Sequence, residues 1–246
     1  MQIHKTMNKT NIILLLILAV SVSTVKSAIR SLASGDVKAE VALANDGDII
    51  ELTTSGGAYT WSAMYDVTVD KAITIRAAAG LAARPVITYA GTTGVTKYFF
   101  GYKPTAGTKS VTWTLEGVVF DGDSKPGSLF QVKCIGAGSN FSFTMNNCVV
   151  RNFLTGAQLF YYLTGATPTV MGTLSVSNTE FRNIPQAIMG SGALSQQPHV
   201  TTFSNCLFAG PFSSTILINN SSDTGAGFGF TVDHCTFTGA AAKEIS

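Results

Sequence analysis

Phe143-Thr-Met-Asn-Asn-Cys-Val-Val150 is the stretch that decides the fold, because it recurs. Four more segments align with it without gaps: Trp113-Thr-Leu-Glu-Gly-Val-Val-Phe120, Leu174-Ser-Val-Ser-Asn-Thr-Glu-Phe181, Thr201-Thr-Phe-Ser-Asn-Cys-Leu-Phe208 and Phe230-Thr-Val-Asp-His-Cys-Thr-Phe237. Their sixth positions are Val118, Cys148, Thr179, Cys206 and Cys235, at steps of 30, 31, 27 and 29 residues. A period of that size means stacked supersecondary units. Positions one, three, six and eight are mostly apolar or small. Alternation by two means strand, and the phase slips by one residue between positions three and six. Two short strands joined by a two-residue bend produce that slip, with positions three and six both facing inward. No 3.6-residue period runs through any segment, so a helical repeat is excluded.

The second bend residue reads Gly117, Asn147, Asn178, Asn205, His234. Gly and Asn best tolerate left-handed backbone, and His is also enriched there. The column is therefore a ladder of turns, whose Asn side chains are expected to hydrogen-bond from coil to coil. A third strand per coil is expected near Leu129, Leu159, Ile188 and Leu217. Earlier strands are expected at 49–52, 67–69, 72–75 and 85–88. Before them, residues 36–44 predict a short helix with Val37 and Val41 on one face, a cap for the first coil edge. The chain is thus expected to be all-β, a single-stranded right-handed parallel β-helix with three short strands per coil and a short N-terminal capping helix.

Composition agrees. Of 246 residues only 12% are charged, against about 25% in an average protein, and 46% are hydrophobic, so the chain folds. The net charge of +2 offers no basic stripe for nucleic acid. Lys5 and Lys9 precede the apolar run Ile12 to Leu18, and Ser21 to Ser27 is small and polar. Val25 and Ser27 occupy the −3 and −1 positions of a cleavage site before Ala28. This is the grammar of a secretory signal, and the run is shorter than the roughly 20 residues of a membrane span. Residues 1–27 are expected to be a signal peptide and 28–246 the β-helix domain. The protein is then secreted, periplasmic or on the cell surface, with no membrane attachment after cleavage.

Val41-Ala-Leu-Ala-Asn-Asp-Gly-Asp-Ile-Ile-Glu-Leu52 resembles the opening of secreted β-helix polysaccharide lyases, the chondroitinase B and alginate lyase group (polysaccharide lyase family six). Ala72-Ile-Thr-Ile-Arg-Ala77, Arg84-Pro-Val-Ile87 and Leu115-Glu-Gly-Val-Val-Phe-Asp-Gly122 add to the likeness. It covers roughly residues 33 to 240 and corresponds to the N-terminal half of such an enzyme. The resemblance implies a polysaccharide partner, an anionic one if the chemistry is shared. It also implies β-elimination on uronic-acid chains, with calcium at the carboxylate, a Lys as base and an assisting Arg. A base must lie within hydrogen-bond reach of the C5 proton. From Leu174 to Phe237 the acids are only Glu180, Asp223 and Asp233, and no Lys occurs before Lys243. No catalytic residue can therefore be carried over, and calcium is expected only if the chain is a lyase.

Position nine supplies a charged column, Asp121, Arg151, Arg182. Guanidiniums on neighbouring coils suit carboxylated sugars, and surface ion pairs are the plainer reading of the same residues. A hydroxyl column at position two (Thr114, Thr144, Ser175, Thr202, Thr231) is like the rows of ice-binding solenoids, but position four lacks a second ordered row. His234 stands without a second His or Cys at metal-ligand spacing, so no metal site is expected. Tyr98, Tyr102, Tyr161 and Tyr162 could stack on sugars. Cys148, Cys206 and Cys235 share an inward column, with Cys134 elsewhere. Cys148 and Cys206 are separated by the coil carrying Thr179, about 9.6 Å at 4.8 Å per coil, beyond the roughly 7 Å limit for a disulfide. Free thiols are expected. The leading functional expectation is a polysaccharide-binding β-helix without a complete catalytic site. Alternatives are a lyase or part of one, and a structural or ice-binding solenoid.

Overall fold

The computed structural model describes residues 27–62, 65–67, 71–91, 97–102, 110–133, 140–154, 159–163, 172–185, 188–191, 200–211, 216–218 and 229–239. Within them the chain is an all-β parallel β-solenoid with one short helix. The first sheet has eight strands, Ile29–Leu32, Ile49–Leu52, Ile73–Ala77, Ser110–Glu116, Asn140–Asn146, Thr173–Ser177, Val200–Ser204 and Gly229–Asp233, each paired in parallel with the next. The second face runs Gly35–Asp36, Ala58–Trp61, Val86–Tyr89, the start of Val119–Lys133, Val149–Leu154, Glu180–Arg182, Leu207–Ala209 and Thr236–Thr238. The third runs Tyr65–Val67, Lys97–Tyr102, the end of Val119–Lys133, Phe160–Leu163, Met189–Ser191 and Ile216–Ile218.

The register reproduces the sequence columns. Trp113, Phe143, Leu174, Thr201 and Phe230 pair in series, as do Leu115, Met145, Val176, Phe203 and Val232. Phe120, Val150, Phe181, Phe208 and Phe237 form the column of the second face. Gly117, Asn147, Asn178, Asn205 and His234 all have positive φ, between 50° and 69°. That left-handed residue turns the chain by the angle that puts positions three and six both inward. Each bend also passes a backbone bond to the next coil: Gly117, Asn147, Asn178 and Asn205 donate to Asn146, Ser177, Ser204 and Asp233 carbonyls.

The expected bonding of bend Asn side chains from coil to coil is present, Asn178 Nδ2 donating to Asn146 Oδ1 at 2.9 Å. A second side-chain ladder lies at the next bend, where Asn152 and Asn183 are left-handed (φ 58° and 51°) and Asn183 Nδ2 donates to Asn152 Oδ1 at 2.9 Å. The early strand is Tyr65–Val67, with 68–70 outside the described residues. The third strand of the late coil is Ile216–Ile218, where it was expected, and its Leu217 pairs with Gly190.

The core is a continuous stack. Phe181, Phe208 and Phe237 lie face to face, with ring centroids 5.0 and 4.7 Å apart and planes within 6°. Phe130, Phe143, Phe160, Phe181 and Phe203 continue the stack by tilted and edge contacts at 5.0 to 6.4 Å. Phe181 touches both series and is fully buried.

The N-terminal end is closed by helix α1, Val37–Leu43. Asp36 caps its start, accepting from Lys38 N–H at 3.1 Å and from Ser62 N–H at 3.2 Å. Val37 and Val41 are fully buried against the first coils. The helix ends without glycine, and its free carbonyls are met by a buried ammonium. Lys71 Nζ donates to Val41 O, Ala42 O and Ala44 O at 2.7, 3.3 and 2.7 Å. Burial lowers the pKa of Lys71, and the Asp48 carboxylate opposes that shift. Bonds to charged groups are worth about 1.5–3 kcal/mol each. Lys71→Met should therefore cost at least about 1.5–3 kcal/mol in urea unfolding, while a loss below about 0.5 kcal/mol would assign the cap no role.

Cys148 and Cys206 are buried, Cys235 is half-buried, and all three are free. Cys134 lies outside the described residues. Burial pushes the Cys148 thiol up to about 12 and Cys206 up to about 11. Since the thiolate is the reactive form, a thiol reagent near pH 8 should label Cys235 first and leave Cys148 and Cys206 unmodified until unfolding. Denatured without reductant, all four cysteines should react. A Cys148–Cys206 bridge detected by mass spectrometry would contradict the register.

Candidate functional site

Two outer surfaces bear charge on neighbouring coils. The expected column is present: Asp121 pairs with Arg151 and Arg151 with Arg182 in the ladder of the second face. Thr88 precedes it and Ala209 follows, so the charge is confined to three coils. Asp121 accepts from Arg151 Nε at 2.7 Å and from Asn152 Nδ2 at 3.1 Å on both oxygens. Arg182 turns along its own strand to Glu180 at 2.5 Å. Both guanidiniums are thus matched by a carboxylate, and both remain substantially exposed, 41% and 53% at the side chain. The column is an anchored polar surface with little net charge.

The second surface was missed by sequence reasoning. A groove of about 420 Å³ runs across the bend between the first and second sheets. Its side is the outward position-four column, where Glu51, Arg76 and Glu116 are register partners on successive strands. Arg76 bonds back to Glu51 through Nε and a terminal nitrogen, at 2.9 and 2.7 Å. Glu116 is exposed and has no ion-pair partner among the described residues. The floor is small: Ala77, Ala78, Ala79, Gly80 and Gly117. Gly117 suits the floor twice over, by its φ of 69° and because a Cβ there would lie 3.2 Å from Ala77 Cβ, a tight contact.

Arg84 closes the groove from the loop before Val86–Tyr89. Its terminal nitrogen donates to Asn147 Oδ1 at 2.5 Å. Asn147 sits at the left-handed bend position, and its side chain meets Arg84 and not a neighbour on the stack. A guanidinium has five donors, and the bond recorded for Arg84 is to a neutral amide. Among the described residues, the groove therefore presents a cation and a carboxylate without ion-pair partners, and an amide, over a floor of small residues. Its size falls within the range of small-ligand sites, about 300–1,000 Å³. A signal was available in the sequence: Arg84, Glu116 and Asn147 each border a bend or a strand end. The loop joining 77 to 84 gave no periodicity that could have located Arg84 opposite them.

The remaining candidates are placed as follows. His234 Nδ1 contacts Asp233 at 2.7 Å on the exposed last bend. Thr114, Thr144, Ser175 and Thr202 form the outward column, each half-buried, with Thr231 exposed. The side chains of Tyr98, Tyr102, Tyr161 and Tyr162, along with Asp223 and Lys243, lie outside the described residues. A calcium cage needs converging oxygen ligands. Glu180 is held by Arg182 and Asp233 by His234, so these late-coil acids do not fit one. Among the described residues no helix is long and apolar enough to cross a membrane.

No family model and no curated protein sequence matches the chain. Among solved structures, the PL6 family alginate lyase AlyGC superposes with a TM-score of 0.66 at 16% identity, over 87% of this chain and 29% of that one. A point mutant of the same enzyme gives 0.63 at 16% identity over the same shares. The chain thus spans 29% of the length of these lyases, and its likeness to them is one of fold, a parallel β-helix.

Proposed function

We propose that this chain is a secreted β-helix that binds an anionic polysaccharide without cleaving it. The observation that carries the reading is Arg84, a guanidinium over a small-residue floor whose recorded bond is to neutral Asn147. A carboxylate on a sugar supplies the missing charge, and the fork of donors suits it geometrically. Glu116 and Asn147 accept and donate to neighbouring hydroxyls. The Asp121, Arg151 and Arg182 column provides a second contact surface, weaker because its cations already have carboxylate partners. The fold shared with an alginate lyase supports a uronate glycan as ligand.

Binding is favoured over β-elimination by the late coils. Elimination needs a base at C5, and no Lys occurs between Lys133 and Lys243. The lyase reading keeps one specific support, the fold match itself. Incubation with alginate, chondroitin and pectate, with and without calcium, should yield no unsaturated products in the ultraviolet. Their appearance would establish the lyase and overturn the binding-only reading.

On an alginate gel the protein should be retained and then released by salt. Arg84→Ala should weaken retention on the order of ten-fold, the loss of one charge-assisted contact. The Arg151→Ala/Arg182→Ala double variant should weaken it less and reduce its salt sensitivity. Retention unchanged in all variants would remove these surfaces from the account.

A further inference from the structure

Ser27 and Ala28 flank the cleavage site that the sequence places just before the first strand, Ile29–Leu32. Ser27 Oγ donates to Gly47 O. Ala28 O accepts from Ile49 N–H at 2.9 Å, which starts the first ladder. Ala28 N–H donates to Asp48 Oδ1 at 3.0 Å. Asp48 is only 1% exposed, although Ala28 itself lies at the surface. Its other oxygen accepts from Asn45 N–H at 2.8 Å. The turn that carries it is fixed to the next coil: Gly47 N–H donates to Ala72 O, and Asp48 O accepts from Thr74 N–H.

A carboxylate this deeply buried, with its first oxygen accepting from a part-buried backbone nitrogen, is costly unless it is well matched. Lys71 does not match it directly, because its ammonium is spent on the three carbonyls at the end of α1. We propose that the Ser27–Ala28 bond is a processing site and that Asp48 is the built-in acceptor for the α-ammonium that cleavage creates. A leader peptidase hydrolyses the bond: water adds, Ser27 leaves with a carboxylate, and the Ala28 nitrogen becomes a protonated amine. The nitrogen already lies at hydrogen-bond distance from Asp48, so the neutral N–H···carboxylate bond becomes an ion pair without movement of the backbone. Charge-assisted bonds are roughly twice as strong as neutral ones. Cleavage gives up the Ser27 hydroxyl bond to Gly47 and gains this pair. Processing thereby fastens the first strand to the end of the solenoid that α1 closes.

The pair gives stability a defined dependence on pH. An α-amine has a pKa of about 7.7–8.0 when free, and a carboxylate partner raises it in the folded protein. The added stability is fully present below the free value and is lost as pH rises through the raised one. The charged groups facing the pair are Lys71 behind Asp48 and Arg30 on the first strand. Backbone bonds from Ala28 and Asn45 hold the Asp48 carboxylate below its usual range, and the charges of Arg30 and Lys71 add to this. Asp48 therefore stays ionised throughout that window, and the amine alone titrates.

The test compares two forms of the protein, one starting at Ala28 and one carrying Ser27 and a preceding glycine, with every other side chain the same. At pH 6.5 the Ala28 form should melt about 2–4 °C higher, the shift that about 1 kcal/mol gives in a domain of this size. The gap should close above about pH 9.5, once the amine is neutral. In Asp48→Asn the two forms should melt together. Protein exported with its leader should have a mass and N-terminal sequence beginning at Ala28. Equal melting at pH 6.5, or a gap unchanged at high pH, would overturn the role of Asp48. Cleavage at another bond would overturn the processing site. Neither result depends on whether the protein binds a glycan.

Discussion

Parallel strands stacked in register leave a residue no choice of neighbour. Each side chain sits over its counterpart one coil below, about 4.8 Å away. In this chain the left-handed bend at Gly117, Asn147, Asn178, Asn205 and His234 makes that stacking consistent, because it resets which side chains face inward in every coil. From this constraint follow the aromatic stack through Phe181, the thiol column interrupted by Thr179, and the outward columns on which charge can be arranged. A substitution here is felt by the coils on both sides, so column chemistry, not single-residue chemistry, governs what the surface can hold.

The same constraint explains the electrostatics. Charges placed on adjacent coils neutralise one another, as Arg76 does with Glu51 and Arg151 with Asp121. Such pairs are worth only about 0–1 kcal/mol when exposed, and they leave little field for a ligand. Arg84 escapes because it comes from a loop and not from a ladder position. It reaches the bend of another coil, where its partner is an uncharged amide. Binding capacity in a solenoid of this kind therefore arises where irregular loops bring charge to the regular face.

That distinction also marks what could be read from the sequence. The column residues, the bends, helix α1 and the free thiols follow from local periodicity and from the tolerance of Gly, Asn and His for positive φ, so they were legible in advance. The ladder of Asn152 and Asn183 is legible too, as the pair Arg151-Asn152 repeated in Arg182-Asn183. The third strands were legible in position but not in pairing, such as Leu217 with Gly190, because the segments before them differ in length from coil to coil. Lys71 under α1, Asp48 beneath Ala28 and Arg84 across the groove join residues 20 to 63 positions apart through irregular segments, for which no pattern in the sequence fixes the distance.

The register itself can be measured directly. Spin labels can be placed on the outward column of the first sheet, with Thr74 as the fixed site and Ser175, Thr202 or Thr231 as the second. These lie three, four and five coils from Thr74, so pulsed dipolar spectroscopy should give separations rising in even steps from about 14 to about 19 to about 24 Å between backbones. Separations that fail to increase along the series, or that increase unevenly by more than the reach of the label, would contradict the in-register coil on which the core, the columns and the groove all depend.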